Sequence, residues 1–554
     1  MWENAGVTDV DPTQQIKAGY TFDVPAATLG VLVDGDPIPD VPIRIPLSMF
    51  NRHGLVAGAT GTGKTVTLQV MAEALSSAGV PVFAADIKGD LSGMATPGPG
   101  GEKLLARTEK QGQPWEAGSY PCEFYALGGI GNGIPLRATV SSFGPILLSK
   151  VLGLNQVQES SLGLIFHYAD QNGLLLLDLK DLTELIKYLI SDEGKAELRG
   201  IGGISTATAG VILRNLVSLS SQGADVFFGE PEFEPADLMR VAPDGRGVVS
   251  LLELPELSNR PALFSTFLMW LLADMFSELP EVGDLDKPKL VFFFDEAHLL
   301  FNGASKAFLD AITQTVRLIR SKGVGVFFVT QTPKDVPDDV LAQLGSRVQH
   351  QLRAHTPNDA KALKATVSTY PTSHYDLEEV LQQLSTGQAV VTVMSEKGAP
   401  TPVAWTQIWA PTSTMGPTPD DQLKAAVAQS PLNAKYGEAI DRESAYEVLA
   451  QQLEEGARRA EEERLEEERA EEAKRIEKEL ADMEKAQAKA ERERIAEERR
   501  LAREKRLAEE ERRRWEKANP SLVQQVTKSR VFKDFMRTAS REIVRSIFGT
   551  GRRR

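Results

Sequence analysis

Apolar residues in this chain are arranged in several distinct textures. Short unbroken runs, Leu55-Val56-Ala57, Val80 to Ala85, Leu290 to Phe294 and Val324 to Val329, have the length and β-branched or aromatic content of strands buried on both faces. After the first run, Val66, Val70 and Leu75 fall among the apolar positions of a helix spanning Val66 to Leu75. Residues 49–95 therefore alternate strand and helix. Residues 145–225 are rich in leucine at helical spacing, which predicts a helical insertion. The alternating texture returns at Gly247 and persists to about Trp409. Together these patterns predict an α/β core over residues 49–410 built on a parallel sheet.

The flanks read differently. Residues 1–48 lack helical periodicity and carry the turn signals Asp34-Gly35 and Asp36-Pro37, predicting a short β or extended cap. Pro411 to Pro419 has the composition of a linker, and the linker region is drawn to residue 444. Residues 445–518 are dominated by Glu, Arg, Lys and Ala. Residues 519–554 are basic and amphipathic. No repeat of 20–50 residues is present.

Composition narrows the class. At 554 residues the chain has length for two to four domains, and 42% hydrophobic content supports a sizeable core. The single cysteine, Cys122, excludes an internal disulfide and disfavours a zinc cluster, which suits a reducing cytoplasm. The N-terminus has no basic region followed by an apolar run, so no signal peptide is expected. The chain contains no run of about 18 apolar residues that would predict a spanning helix. The net charge of −15 gives no support for nucleic-acid binding by the chain as a whole, although a local basic surface or ring pore can act against an acidic background.

Candidate chemistry begins between the first strand and its helix. Gly58-Ala59-Thr60-Gly61-Thr62-Gly63-Lys64-Thr65 fits the phosphate loop of nucleoside-triphosphate-binding proteins, and Val66 continues into the helix. Glycines let successive backbone N–H groups point at one phosphate, and the helix adds its positive end. In such a loop Lys64 reaches the β- and γ-phosphates, and the Thr65 hydroxyl is placed to ligate Mg²⁺. ATP and Mg²⁺ are the expected ligands.

The apolar run Leu290–Phe294 ends in Asp295-Glu296, a Walker B arrangement. Asp295 can hold Mg²⁺ through water, and Glu296 can orient and deprotonate the attacking water. Ligands of open α/β sheets sit at such carboxyl ends. His298 could contact the site or be structural. The run Val324–Thr330 ends at Gln331, where a γ-phosphate sensor would stand. Arg317 and Arg320 precede that strand and Arg347 opens a later one. An arginine directed across a subunit boundary can stabilise transition-state charge, but the sequence does not single one out. Asp86 has two readings, an outer-shell metal contact or a capped turn with Asp90.

Taken together, Gly58 to Thr65, Phe294-Asp295-Glu296-Ala297-His298 and Thr330-Gln331 resemble the HerA/FtsK division of hexameric ATPases. Asp86-Ile87-Lys88-Gly89-Asp90-Leu91-Ser92-Gly93, Phe227-Phe228-Gly229-Glu230-Pro231 and Tyr375 to Val380 resemble its HerA-like members of poorly defined role. The resemblance spans roughly residues 40–410. It implies a RecA-like core with a helical insertion, a ring of six subunits, and ATP bound between neighbours. It also implies phosphate and metal binding by Lys64 and Thr65, hydrolysis by Asp295 and Glu296, and sensing by Gln331, with Arg347 at a strand position where related motors carry an arginine. HerA proteins proper have a β-barrel before the phosphate loop. Only about fifty residues precede it here, too few for that barrel and the first core strand, which weakens the implied nuclease partnership and DNA-end resection. Leu91-Ser92-Gly93 superficially resembles the ABC signature but follows the second strand, away from where that signature belongs.

In the charged segment, acidic and basic residues recur at three and four, supporting a solvated helix by local ion pairs. Ala473, Ile476, Leu480, Met483 and Ala490 form a short, weak heptad seam. In the tail, Phe532, Phe535, Met536, Ala539, Ile543, Ile547 and Phe548 make one apolar face beside Lys533, Arg537, Arg541 and Arg545. Such a helix suits anionic lipid, a partner groove, a phosphate backbone, or folding back on the core. The expected function is a DNA-translocating or DNA-remodelling ring ATPase. The alternatives are a motor or switch acting on a protein or membrane surface through the C-terminal arm, and a slowly hydrolysing scaffold. The expected location is cytoplasmic, with peripheral membrane contact through the tail left open.

Overall fold

The computed structural model describes residues 11–198, 202–254, 261–302 and 306–518. Its strands are β1 (Ala26–Asp34), β2 (Asp36–Pro46), β3 (Gly54–Ala57), β4 (Val82–Asp86), β5 (Cys122–Leu127), β6 (Ile134–Leu136), β7 (Val249–Glu253), β8 (Leu290–Phe294), β9 (Val324–Thr330), β10 (Ser346–His350), β11 (Gln388–Thr392) and β12 (Ala404–Ile408). They form one 12-stranded sheet in the order β2-β1-β12-β11-β10-β3-β9-β8-β4-β7-β5-β6. From β10 through β6 every pairing is parallel, and from β10 outward through β11, β12, β1 and β2 every pairing is antiparallel.

The unbroken apolar runs are explained by burial on both faces. In β8, Leu290, Phe292 and Phe294 enter one core while Val291 and Phe293 enter the other. β9 divides likewise, Val326 and Phe328 against Phe327 and Val329. The first core also takes the apolar faces of helices Val140–Val151, Gln156–Gln171, Leu179–Ile190 and Thr206–Ser221, the predicted helical insertion. The second takes Leu68, Met71, Ala72 and Leu75 from the helix Lys64–Ser77 that follows the phosphate loop. That helix therefore lies against the opposite sheet face from the insertion. β9 separates β3 from β8, so an additional strand stands between the phosphate-loop strand and the acidic strand. This is a RecA-like α/β core.

Two boundaries drawn from composition are corrected. The short β or extended cap expected at residues 1–48 holds a helix, Pro12–Gly19, besides its strands, and it is not set apart from the core, because β1 pairs antiparallel with both β2 and β12 and extends the same sheet. Residues 411–444 are no free linker. The Glu73 carboxylate on the phosphate-loop helix accepts hydrogen bonds from the N–H (2.8 Å) and hydroxyl (2.9 Å) of Thr412 and from the N–H (3.0 Å) and hydroxyl of Ser413. The Trp115 indole donates to the Pro411 carbonyl at 2.8 Å. Further on, Tyr436 is fully buried and donates to Asp237 at 2.6 Å. A Pro/Thr/Ser stretch has no apolar period, but here its polar groups find buried tertiary partners, which composition cannot show.

One compact unit runs to Gly456, and a second begins at Ala457. A single helix, Ala445–Ala518, enters both. In the first unit, Asp181 accepts from the Tyr446 N–H at 2.9 Å and Leu449 is buried. In the second, the helix is solvated and exposes Ile476, Leu480 and Met483. The amphipathic tail, residues 519–554, lies outside the described residues. Among the described residues no helix is long and apolar enough to cross a membrane.

Candidate nucleotide site

Parallel register brings the predicted chemistry to one sheet edge. Ala57 at the end of β3 pairs with Thr330 of β9, Phe294 of β8 pairs with Phe328 of β9 and Ala85 of β4, and Asp86 of β4 pairs with Glu253 of β7. The loop Gly58–Gly63, Gln331, Asp295-Glu296 and the turn after Asp86 consequently leave the sheet at its carboxyl edge, where open α/β sheets bind ligands.

The loop has the backbone the motif requires. Gly61 and Gly63 have φ of +80° and +120°, in the left-handed region where glycine carries no penalty. A Cβ on Gly63 would stand 3.2 Å from Gly387 Cα, tighter than an ordinary contact, so a side chain there would press on the neighbouring backbone. The Gly387 N–H donates to the Thr62 carbonyl at 2.9 Å. Lys64 is buried and donates to the Gly58 carbonyl at 2.7 Å and to the Ala59 carbonyl at 3.2 Å. Burial pushes its ammonium below the ordinary lysine range, against the pull of Glu296. Thr65 and Val66 lie half-buried in the first turn of the helix.

A residue given no role from the sequence, His350, also holds this loop in place. His350, at the end of β10, is fully buried against Gly58. Its Nδ1 is 2.8 Å from the Gln388 carbonyl, which can only accept, so Nδ1 carries the proton. Nε2 then accepts from the Thr67 hydroxyl at 2.8 Å. Burial pushes its pKa down to about 4, which keeps the ring neutral. A histidine ending an apolar strand was the available signal, but its partners lie 38 and 283 residues away.

At the acidic strand end, Asp295 is 2% exposed. Its Oδ1 accepts from the Glu296 N–H at 2.9 Å, while Oδ2 is buried without a hydrogen-bond partner. Burial, with Glu296 adding like charge, pushes its carboxyl up to about 6. Glu296 has φ of +47°, an uncommon conformation for a residue with a Cβ. Its Oε1 lies 2.6 Å from Lys88 Nζ. Its Oε2 is 3.3 Å from His298 Nδ1, without hydrogen-bond geometry. Burial alone would push the Glu296 carboxyl up, but the bond and charge of Lys88 outweigh it and hold it below its ordinary value. Of the two readings of Asp86, the capped turn is the one formed: its two oxygens accept from the Gly89 and Leu91 N–H groups at 2.7 Å each.

Gln331 is exposed immediately beyond β9. The following turn is fixed by Asp335, which accepts from the Thr330 hydroxyl at 2.7 Å and the Thr332 N–H at 3.0 Å. The two arginines do not join the site within one subunit. Arg320 begins the turn that precedes β9, at the amino edge of the sheet. Arg347 pairs with Leu55, two residues short of the edge, and it donates to the Thr369 carbonyl at 3.2 Å and stacks over Tyr370.

The residues fit a nucleotide with Mg²⁺. The loop is a cradle that side chains would fill, the Asp295 oxygen is orphaned, and a threonine hydroxyl follows the lysine. No group of three or more His, Cys, Asp or Glu side chains able to hold a metal unaided occurs among the described residues. Fold and site together define a P-loop nucleotide-binding protein with an additional strand between its two signature strands.

The chain belongs to the helicase HerA-like C-terminal family, whose model matches residues 33–554. It is 35% identical over 118 residues to "Probable helicase MJECL08" of Methanocaldococcus jannaschii, a match covering 21% of this chain and 21% of that relative. Among solved structures it is similar to the bacterial conjugative coupling protein TrwB lacking its first 70 residues, at 16% identity and a TM-score of 0.48, over 74% of this chain and 95% of that one. VirB4 of Thermoanaerobacter pseudethanolicus is similar at 14% identity and a TM-score of 0.45, over 70% and 97%.

Proposed function

We propose that this protein is an ATP-hydrolysing motor of the HerA/FtsK type that assembles as a ring, a hexamer, and translocates on or remodels DNA. The observation that carries the hydrolytic part is the shared sheet edge: phosphate loop, Asp295-Glu296 and Gln331 leave adjacent parallel strands side by side. Membership of the family supports the motor and the polymer.

In this reading the loop N–H groups and Lys64 bind the β- and γ-phosphates, with Lys64 leaving the Gly58 and Ala59 carbonyls for them. Thr65 and Asp295 hold Mg²⁺, which when bound would neutralise charge on the phosphates. Glu296 orients the attacking water and takes its proton, and Gln331 contacts the γ-phosphate. Arg320 and Arg347, remote from their own subunit's site, are candidates to act on a neighbour's. The neighbour would complete the site, so assembly and turnover should rise together with protein concentration.

The test is steady-state ATP hydrolysis by the full chain with and without double-stranded DNA, alongside mass photometry of its assembly. Turnover stimulated by DNA and absent from Lys64→Ala and Glu296→Gln is expected. Normal turnover in both variants would sink the assignment. Mutant-sensitive turnover indifferent to DNA would keep the ATPase and move the search to protein or lipid partners.

A further inference from the structure

Lys88 carries no role in the nucleotide site outlined above, yet it makes the shortest ionic contact there. It stands two residues beyond β4, as Glu296 stands two residues beyond the neighbouring β8. The turn that delivers it is tightly built. Asp86, fully buried, ties down the Gly89 and Leu91 N–H groups, and Gly89 takes φ of +73°. From outside, the Thr418 N–H donates to Ser92 Oγ at 2.9 Å and the Thr418 hydroxyl to the Ser92 carbonyl at 2.7 Å. The lysine is thus a long side chain on a rigid base, its position set by β4 and by the folded segment after residue 411.

We propose that Lys88 is a positioning residue for ATP hydrolysis, holding the Glu296 carboxylate by one oxygen so that the other is presented to the attacking water. The inference rests on the ATPase reading above. Three observations support it. The 2.6 Å contact engages Oε1 alone, while Oε2, buried and 3.3 Å from His298 Nδ1, makes no hydrogen bond and is left for a water that binds with the nucleotide. The Glu296 side chain is only 11% exposed and neighbours the buried Asp295, so without a counter-charge its anion would face like charge in a poorly hydrated place. The left-handed backbone at Glu296 fixes where its side chain starts, and of the two groups beside its end, Lys88 and His298, only Lys88 bonds it. The Lys88 side chain is 42% exposed, so replacing it leaves no core cavity.

The experiment compares Lys88→Met, Lys88→Gln and Lys88→Arg in the full chain. It measures kcat and KM for ATP, binding of a fluorescent ATP analogue, and melting temperature. Lys88→Met should lower kcat roughly 10- to 100-fold with nucleotide affinity and melting temperature unchanged. Lys88→Arg, which can still bond one carboxylate oxygen, should recover most of the loss, and Lys88→Gln less. Wild-type kcat in Lys88→Met while Glu296→Gln is dead would overturn this proposal alone. Faster basal turnover would overturn it too, making the contact a restraint. A loss confined to nucleotide affinity would make Lys88 a phosphate ligand and equally overturn it. Equal loss in the Met and Arg variants would also overturn it. Absence of turnover in the wild type would overturn the ATPase reading and this inference together.

Discussion

At the residue scale, the site shows how burial and partners set the state of each side chain. Gly63 has both a left-handed backbone and a neighbour at Gly387 that a methyl group would crowd. Gly63→Ala should cost about 1–3 kcal/mol locally and weaken nucleotide binding at least about tenfold, with the melting temperature little changed. Titration with a fluorescent nucleotide checks this, and undiminished affinity would show that the loop need not hold this shape. Glu253, at the end of β7, is 9% exposed, and its Oε1 has no hydrogen-bond partner. Burial, with Asp86 and Asp90 nearby, pushes its pKa from 4.5 up to about 8. Above pH 8 the folded protein would carry a buried anion that the unfolded chain hydrates. As the pH falls from about 8 toward 4.5, the folded state takes up the proton first and the penalty fades. Glu253→Gln should therefore raise the melting temperature near pH 8.5 and leave it almost unchanged near pH 5. An equal shift at both values would refute the charge argument. The glycines and the lysine of the loop were legible in sequence because the motif encodes them locally. Lys88, His350 and Gly387 were not, since each acts through a partner distant in the chain.

At the element scale, the phosphate-loop helix is fastened at its far side as well as at its loop. Glu73 binds the backbone and hydroxyls of Thr412 and Ser413, and Gln69 donates to Ser413 Oγ at 2.7 Å and to the Thr414 carbonyl at 3.0 Å. Glu73→Ala leaves those buried donors without an acceptor and should destabilise the core by about 2–4 kcal/mol. Hydrogen exchange should rise first across residues 410–418. Unchanged protection there would mean the strap is held by other contacts. The strands at the centre of the sheet were predictable because double-sided burial leaves unbroken apolar runs. The outer strands β1 and β2 were less so: β2 interleaves polar residues and prolines and pairs only with β1, and β1 joins the core sheet only by pairing with β12, more than 370 residues further along the chain. The additional strand β9 was visible as a strand, but only the sheet order sets it between β3 and β8.

At the scale of the whole molecule, two units differ in what stabilises them. The unit ending at Gly456 is built on two large apolar cores. The helix beyond it relies on exposed ion pairs such as Arg464–Glu468, Arg475–Glu479 and Arg494–Glu498, at 3.7–4.0 Å. Each has the basic residue N-terminal to the acidic one, the weaker orientation against the helix dipole, and each is worth only about 0.3–0.5 kcal/mol. Residues 457–518 should therefore melt gradually and at lower temperature than the core, more so in high salt. Circular dichroism of the full chain should show a shallow helical loss preceding a cooperative transition. Removing residues 457–554 should abolish the first and shift the second by no more than about 2 °C. A single cooperative transition that falls on truncation would show that the arm supports the core.

The sequence by itself determined the phosphate loop, the acidic strand end, the α/β class and the helical character of the insertion and the arm. Each of these is written in neighbouring residues or in a period of a few residues, so local chemistry suffices. Only the tertiary structure decided that β1 joins the sheet beside β12, that the proline-rich segment is a strap, and that Lys88 meets Glu296. These are contacts between segments up to hundreds of residues apart, formed when burial of apolar surface closes the chain and buried polar groups must find partners wherever the fold supplies them.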